Sequence, residues 1–458
     1  MNVLMVVVDS LRADLLGCYG YSKNTSPNLD ALANEGTLFT RAFAPGIPTT
    51  PAFTTLLSGL HPYRHGVLSH GGDMLLDTEI LMLPEMAKAA GYTTIAIDNL
   101  TVQGNGRGSW FSRGFDYYSA FNYQPFGEQS TQLADRTIRF LNDVQNDPFF
   151  LFLHLWDPHT PYSPPAPFDT LHYDGPSTPA SQLKDIQSLA PEYYQSFLGD
   201  MKFQKPDDFD WIMAQYDGEI SYADQQIGRI FEHLKTLNLW DETIVVVLSD
   251  HGECFGEGGF WFDHHGLYDA NLRVTSIWRV PGHNADGEAK ICDDFISTED
   301  VFPTLCKLCD WPLPEKRGAE YEISGHEFTA CLNGGSTPAR DIFVGVECTR
   351  QASLCVRTDR WKLMVPIGKN SLGETIPDFY GNAREEIFLL FDLQNDPQET
   401  RDVGAEYSAV RDDLLRQLDA WREKEKQRNG GRDLILETPL GLPFDEFMGR
   451  LSNRSVRK

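Results

Sequence analysis

The chain has 458 residues, of which 41% are hydrophobic and 12% aromatic, so it can bury a large core and is long for one compact domain. Its formal net charge of −27 repels the phosphate backbones of nucleic acids, so we expect no nucleic-acid partner. An anionic substrate would have to be met by local positive charge, such as a bound cation.

The first predicted element is an apolar run at residues 1–8 with the length of a strand. It has no basic leader and no cleavage site after it, so we interpret it as a buried strand and not as a signal peptide. No apolar stretch approaches the roughly 20 residues of a membrane span. These features predict a cytoplasmic protein without a membrane partner, whose eight cysteines are reduced. We assign Cys306 and Cys309 to helix packing.

Strand-like apolar runs alternate with helical stretches in the first two thirds of the chain. The runs lie at residues 3–8, 93–97, 149–154 and 243–248. Since these runs are apolar on both faces, they predict an α/β fold in which helices cover both faces of a parallel or mixed sheet. Ligands of such folds gather at the carboxyl ends of the strands, and polar residues follow three of these runs.

The pattern changes beyond about residue 336. Strands are predicted at residues 341–347, 353–365 and 387–393, followed by a charged helix at 407–427, which together form a small antiparallel sheet with one helix. We therefore predict a catalytic domain at residues 1–335, an α+β subdomain at 336–428 and a tail at 429–458. The tail could pack on a neighbouring subunit of a homo-oligomer or be a loosely held end. Residues 164–210 are predicted to form a long excursion over the site.

Two segments place carboxylates directly after buried strands. Asp9 follows the first run, and an unpaired charge there would be costly, so it should be metal-bound, paired or hydrogen-bonded. The alternative is that Asp9 caps a helix that begins near Leu11. Asp250 and His251 follow the fourth run, and Gly252 permits a turn that brings both side chains to one divalent ion. This is the most specific local signal in the chain.

Two further segments offer a hydroxyl and imidazoles. Thr49 and Thr50 precede Pro51, which predicts a helix start with Thr50 as the cap and an anion at the free amides of the first turn. The same residues also begin many helices that have no catalytic role. His159 lies in a proline-rich turn after the third run, where a proton donor would stand. His154, inside that apolar run, is interpreted as a satisfied core histidine.

Several motifs in order along the chain resemble the sulfatase family of the alkaline phosphatase superfamily over residues 1–420. They are Val8-Asp9-Ser10-Leu11-Arg12-Ala13-Asp14, Asp157-Pro158-His159-Thr160-Pro161-Tyr162, Ser249-Asp250-His251-Gly252-Glu253, Leu267-Tyr268-Asp269 and Leu390-Phe391-Asp392-Leu393. The resemblance implies that Asp9, Asp250 and His251 bind a catalytic divalent ion together with the oxygen of the nucleophile, Thr49. It also implies that His159 contacts the transferred group or protonates the leaving oxygen.

The resemblance implies roles for five further residues. Either His264 or His265 would hold an equatorial oxygen of the substrate, and the motif register fits His265 slightly better. Thr101 stands where typical sulfatases have a histidine and where phosphonate monoester hydrolases have a threonine. Asn99 replaces a typical lysine, and His70 stands where many members have a pocket asparagine.

The departures from the family pattern bear on the chemistry. Sulfatases mark the residue that becomes formylglycine with Cys or Ser, any residue, Pro, any residue, Arg, whereas this chain has Thr49, Pro51 and Phe53 at the marked positions. Threonine cannot become the aldehyde hydrate, so no formylglycine is expected. Ser10 replaces a second acidic ligand, and Asn99 removes a positive charge.

These residues leave three readings of the function. The first is hydrolysis of small anionic esters, namely phosphate monoesters or diesters or phosphonate esters, in which the Thr49 hydroxyl attacks phosphorus with the help of a calcium, manganese or zinc ion. The second is a sulfatase that acts without formylglycine. The third is a catalytically degenerate binding protein, against which the retained Asp9, Asp250, His251 and His159 count.

Overall fold

The computed structural model describes residues 1–70, 75–98, 100, 109–120, 129–175, 209–283, 289–313, 322–337, 340–369, 372–376, 387–438 and 440. The strands are β1 (Asn2–Val8), β2 (Thr37–Phe39), β3 (Ala42–Phe43), β4 (Gly46–Ile47), β5 (Thr93–Ile97), β6 (Tyr117–Ser119), β7 (Phe149–Leu155), β8 (Thr243–Ser249), β9 (Cys254–Phe255), β10 (Trp261–Asp263), β11 (Arg273–Val274), β12 (Ser276–Arg279), β13 (Lys290–Cys292), β14 (Ile296–Ser297), β15 (Phe343–Glu347), β16 (Ser353–Arg357), β17 (Trp361–Pro366) and β18 (Leu389–Asp392). The α-helices are α1 (Pro27–Glu35), α2 (Thr49–Ser58), α3 (Pro62–His65), α4 (Leu83–Ala89), α5 (Gln129–Val144), α6 (Phe168–Leu171), α7 (Phe209–Thr236), α8 (Asp269–Leu272), α9 (Val301–Leu308), α10 (Ser408–Arg428) and α11 (Leu434–Glu437).

The large sheet has the strand order β13-β2-β12-β8-β1-β7-β5-β6. Its centre is parallel, because β1 pairs in parallel with both β7 and β8. Strand β12 is antiparallel to β8 and to β2, so the sheet is mixed, as predicted. The four predicted apolar runs are the adjacent strands β8, β1, β7 and β5, and their carboxyl ends therefore meet at one edge of the sheet.

Both faces of the large sheet are covered by helices. Along β1, Val3 and Val7 pack into a core with residues of α2, α4 and α9. The alternate residues Leu4 and Val6 pack into a second core with residues of α1, α5 and α7. Every residue of β1 is buried, which explains why the run is apolar throughout instead of alternating.

The second sheet has the order β18-β17-β16-β15-β4. The single strand predicted at residues 353–365 is wrong, because the chain turns at Thr358 and forms the two antiparallel strands β16 and β17. The Thr358 N–H donates to the Trp361 carbonyl at 2.8 Å and closes this turn. Strand β4, which directly precedes Pro48 and Thr49, pairs in parallel with β15. The second sheet thus reaches the start of α2, and the predicted division at residue 335 stays a prediction.

A largely buried cluster of charged side chains ties the second sheet to Asp269 of α8 and to Glu399. Lys362 of β17 is fully buried, and its Nζ lies 2.8 Å from Asp269 Oδ1 and 2.7 Å from Glu399 Oε1. Arg357 of β16 donates from Nη2 to Asp269 Oδ2 at 2.8 Å. Burial opposes the ionisation of Asp269, but the charges of Arg357 and Lys362 outweigh it and hold the pKa of that carboxyl below its usual range. We call these four residues the junction cluster.

Two sequence predictions fall largely on residues that the structure does not describe. The excursion at residues 164–210 includes 176–208, and the tail at 429–458 includes 439 and 441–458. Of the helices in the described ranges, none combines the length and the apolar character that a membrane span requires. Cytoplasmic localisation stays a prediction.

Candidate active site

Three residues that follow strands of the large sheet converge at its carboxyl edge. Asp9 follows β1, and Asp250 and His251 follow the adjacent parallel strand β8. One donor atom from each of the three side chains lies within 4.8 Å of the others, and all three residues are at most 1% exposed. Parallel pairing alone accounts for this meeting, since neighbouring strands end at the same edge.

The turn after β1 fixes the two carboxylates. Ser10 has a φ of 58°, a left-handed conformation that is uncommon outside glycine. In this conformation its N–H donates to Asp250 Oδ1 at 3.1 Å, and its hydroxyl donates to Asp9 Oδ1 at 2.9 Å. Asp9 does not cap a helix, because the next helical turn begins at Ala13 with Arg12 as its cap. The alternative capping role for Asp9 is therefore wrong.

The donor set of Asp9, Asp250 and His251 fits a divalent ion. His251 Nδ1–H donates to the Gly252 carbonyl at 2.8 Å, which leaves the lone pair of Nε2 free for a metal. That Nε2 lies 3.2 Å from Asp250 Oδ2 and 3.8 Å from Asp9 Oδ1. Asp250 Oδ2 is buried and has no hydrogen-bond partner among the described residues. A cation at this point would satisfy an oxygen that otherwise carries the full cost of burial.

The protonation states differ within this group. Burial and the charge of Asp9 hold the pKa of Asp250 well above its usual range. Burial lowers the pKa of His251 to about 4, so its imidazole is neutral and available as a ligand at pH 7. Burial opposes the ionisation of Asp9, but the charge of His159 and the hydrogen bond from His154 lower its pKa to about 2.

His154 supports Asp9 from inside the sheet. Its Nε2 lies 3.2 Å from Asp9 Oδ2 and its Nδ1 lies 2.7 Å from Asp98 Oδ1. Burial opposes protonation of His154, but these two hydrogen bonds raise its pKa to about 9. The residue is a buried, hydrogen-bonded core histidine, as interpreted from the sequence, and it also supplies positive charge beside Asp9.

Thr49 lies at the N-terminus of α2. The sequence predicted Thr50 as the cap, but the helix begins at Thr49 and its cap is Pro48, whose carbonyl accepts from the Ala52 N–H at 3.1 Å. Thr49 therefore occupies the first helical position, where its side chain lies at the positive end of the helix dipole. Its Oγ1 lies 3.2 Å from His251 Nε2, and the residue is 1% exposed.

Ring contacts link His159 and His264 to His251, which in turn contacts Thr49. The ring centroids of His159 and His264 are 4.9 Å apart, and those of His264 and His251 are also 4.9 Å apart. His159 Nδ1–H donates to the Thr160 carbonyl at 2.6 Å, so its Nε2 is the atom left for proton transfer. Burial and the charge of His159 hold the pKa of His264 well below its usual range.

His265 occupies a different environment from His264. Its Nδ1 lies 3.2 Å from Glu347 Oε1 at the end of β15, and its Nε2 lies 3.8 Å from Asp263 Oδ1. Burial opposes protonation of His265, but the charges of these carboxylates raise its pKa. The structure thus places His264 against His159 and His251, whereas His265 contacts carboxylates of β15 and β10. Which of the two histidines holds a substrate oxygen stays a prediction.

Of the three residues predicted to contact the substrate, His70 lies in the part of the chain that the structure describes. His70 Nδ1 lies 2.9 Å from Thr50 Oγ1 and accepts from the Thr50 N–H at 3.4 Å, so it sits at the first turn of α2. Asn99 and Thr101 lie outside the described residues.

Asp98 and Glu347 are two carboxylates that the sequence reasoning missed. Asp98 directly follows β5, so the rule that singled out Asp9 could also have found it. Glu347 had no such signal, because it reaches the site only through the pairing of β15 with β4. Its Oε2 also accepts from the Gly266 N–H at 3.0 Å, which holds the turn after the two histidines.

Comparison with known proteins identifies the family to which this site belongs. A family model described as Sulfatase matches residues 1–311. The chain belongs to the sulfatase family. Sulfatase-family proteins generally use a divalent metal ion, in keeping with the donor set of Asp9, Asp250 and His251. The protein is accordingly a hydrolase that acts on ester bonds.

Individual relatives cover most of the chain. Iduronate 2-sulfatase of Mus musculus is 26% identical, and the match covers 69% of this sulfatase-family chain and 70% of the relative. Multifunctional alkaline phosphatase superfamily protein PehA of Trinickia caryophylli is 24% identical, and the match covers 93% of this chain and 96% of the relative. The phosphonate monoester hydrolase of Agrobacterium radiobacter has the same fold, with a TM-score of 0.72, 24% identity and coverage of 93% and 96%.

Proposed function

We propose that this sulfatase-family protein hydrolyses phosphate monoesters or diesters, or phosphonate esters, with Thr49 as the nucleophile. The observation that carries the proposal is the position of Thr49 Oγ1, 3.2 Å from His251 Nε2, an atom that itself lies 3.2 Å from Asp250 Oδ2 and 3.8 Å from Asp9 Oδ1. A divalent ion bound there would supply a Lewis acid that lowers the pKa of a neighbouring hydroxyl. The expected substrate is a small anionic ester.

The chain's own residues account for the steps of this reaction. The Thr49 hydroxyl releases its proton to solvent, and its oxygen attacks phosphorus in line and forms a phosphothreonine as the bond to the leaving oxygen breaks. His159, in ring contact with His264, would donate a proton to that leaving oxygen and regain one from solvent. Water then cleaves the phosphothreonine and restores the Thr49 hydroxyl. The N-terminus of α2 stabilises negative charge on the transferred group throughout.

The surroundings of Phe53 favour direct use of the threonine. Phe53 is fully buried, and its ring lies 4.5 Å from the ring of His154 and 6.0 Å from that of Phe152. It fills the core beneath α2 at the position where a formylglycine-dependent sulfatase has an arginine. Neither Thr49 nor Phe53 provides what the conversion to formylglycine requires, so both residues favour an unmodified Thr49.

The donor types narrow the choice of metal without fixing it. The two carboxylates of Asp9 and Asp250 suit calcium or manganese, and the imidazole of His251 also admits zinc. We expect one of these three ions at the site.

A sulfuric ester hydrolase that acts without formylglycine is the second candidate. The similarity to the iduronate 2-sulfatase of Mus musculus favours it, because that relative is named for a sulfate ester. The two candidates share Thr49, the same metal donors and His159. They differ only in the group that is transferred, so a direct comparison of substrates separates them.

The test compares chromogenic phosphate monoesters, phosphate diesters, phosphonate esters and sulfate esters with matched leaving groups. We expect phosphorus esters to be turned over faster than the sulfate ester, and the reverse order would favour the sulfatase reading. Thr49→Ala should lower turnover by roughly 10³ or more, and Thr49→Ser should keep measurable activity. Thr236→Ala, an exposed position at the end of α7, serves as the matched control.

Mass spectrometry completes this test. Residue 49 should be unmodified in the resting protein and should carry the phosphoryl group after rapid quenching with substrate. Full activity in Thr49→Ala, or a label on Thr50 in place of Thr49, would contradict the proposed nucleophile.

A further inference from the structure

A second group of metal-ligating side chains lies at the opposite end of the strand order from β6. Cys292 is the last residue of β13, the edge strand of the large sheet, and Asp294 follows two residues later. Cys331 begins the short 3-10 helix Cys331–Asn333. One ligand atom from each of these residues lies within 4.8 Å of the others. None of the three has a part in the chemistry proposed for Thr49.

The carboxylate of this group is held in place by the chain. The Thr337 N–H and the Thr337 hydroxyl both donate to Asp294 Oδ2, the latter at 3.2 Å. Cys331 Sγ lies 3.4 Å from the same oxygen. In a tetrahedral zinc site with ordinary Zn–S and Zn–O bonds, sulfur and oxygen ligands are about 3.5 Å apart. The spacing therefore agrees with two ligands of one ion.

The three residues of the group differ in their exposure to solvent. Cys292 is 5% exposed and Cys331 is 1% exposed, whereas Asp294 is only partly buried. The two sulfurs thus lie inside, and the carboxylate lies towards the solvent. Water could complete the coordination from that side.

We propose that Cys292, Asp294 and Cys331 bind a thiophilic divalent ion of the zinc type, separately from the active site. Two thiolates and a carboxylate select zinc or cadmium over calcium or manganese, which prefer oxygen ligands alone. Each bound ion displaces the protons of the two thiols to solvent. The ion would tie the end of β13 to the segment that leads into the second sheet.

A disulfide between Cys292 and Cys331 is the alternative to metal binding by these two cysteines. It would consume the two sulfurs alone and give no role to Asp294, whose orientation Thr337 fixes. A metal ion uses all three side chains, and both cysteines are free thiols in the structure.

The test uses the reduced full-length protein, stripped of metal and titrated with cadmium ions alone. Cadmium bound by thiolates gives an ultraviolet sulfur-to-metal charge-transfer absorption, which the active-site donors cannot give because they offer only oxygen and nitrogen. We expect the absorption to saturate at one equivalent and to be lost in Cys292→Ser and in Cys331→Ser. In Asp294→Asn it should persist, with a midpoint at about tenfold or more higher cadmium.

Two control variants separate this site from the rest of the molecule. Cys18→Ser, at a partly exposed thiol, and Asp250→Asn, in the active site, should both keep the absorption. The thiol site can therefore fail while the proposed esterase reaction stands, and the reverse also holds.

Alkylation of the wild-type protein after unfolding in denaturant, without reductant, shows whether Cys292 and Cys331 are free thiols and needs no variant. Absence of the absorption with both thiols free, its persistence in Cys292→Ser, or a mapped Cys292–Cys331 disulfide in the purified protein would overturn the proposal.

Discussion

The junction cluster and the active site each contain an aspartate, and the pKa values of the two aspartates are shifted in opposite directions. In the junction cluster, Asp269 lies between Arg357 and Lys362, and its pKa is held below its usual range. In the active site, Asp250 is only 1% exposed, and its pKa is held well above its usual range by burial and by the charge of Asp9. The two residues have the same side chain and differ in their burial and in their partners.

The difference shows what each cluster can do. The junction cluster contains two cations and two carboxylates, so its charges are balanced within the chain. In the active site, His251 is neutral, and an oxygen of Asp250 has no hydrogen-bond partner among the described residues. A buried cluster balanced within the chain is sensitive to the loss of any one partner. A cluster that keeps a buried carboxylate oxygen without a partner is suited to a cation that the chain does not supply.

The largest expected effect is on turnover at the active site. His159→Ala should lower turnover of the preferred ester by about 10² to 10⁴, because the leaving oxygen loses its proton donor, while the midpoint of thermal unfolding changes little. His233→Ala, near the exposed end of α7, is the matched control and should keep full turnover. Steady-state kinetics measures both, and equal turnover in the two variants would assign His159 a structural role only.

The next effect is on stability at the junction cluster. Lys362→Met should lower the free energy of unfolding by about 3–5 kcal/mol, because it leaves Asp269 and Glu399 buried without their shared cation. Arg229→Ala, which removes a half-exposed ion pair with Asp135, should cost less than about 1 kcal/mol. Denaturant unfolding measures both. A similar small loss in the two variants would mean that the buried cluster is no more important than a surface pair.

The pH dependence of the junction cluster follows from the direction in which the pKa of Asp269 is shifted. Because the pKa of Asp269 is lower in the folded protein, its ionised form adds to the free energy of unfolding above the unfolded pKa of about 3.9. This stabilisation is lost as the pH falls through the folded pKa. The stability difference between the wild type and Lys362→Met should therefore narrow in strong acid.

The smallest expected effect is stabilisation of the active site by its ion. Manganese at 100 times its dissociation constant should raise the free energy of unfolding by about 2.7 kcal/mol. Asp250→Asn should remove this gain, whereas Cys292→Ser should keep it, because manganese prefers oxygen ligands to thiolates. Thermal unfolding with and without manganese measures the gain. An undiminished gain in Asp250→Asn would place the ion elsewhere.

The sequence by itself determined the strands of the central sheet and the placement of the site at their carboxyl edge. Apolar runs report burial on both faces directly, and parallel strands that lie side by side must end together. Asp9, Asp250 and His251 could therefore be named from their positions after β1 and β8. The residues around Thr49 also predicted a helix start, although the predicted cap was Thr50, two residues after the observed cap, Pro48.

The tertiary structure decided what local patterns do not encode. The pairing of β4 with β15 brings Glu347 to His265 and leaves His264 in ring contact with His159, a choice that adjacent histidines in a sequence cannot reveal. The meeting of Cys292 with Cys331 likewise depends on how segments far apart in the chain fold against each other. Side-chain periodicity records which face of an element is buried, but not which distant segment covers that face.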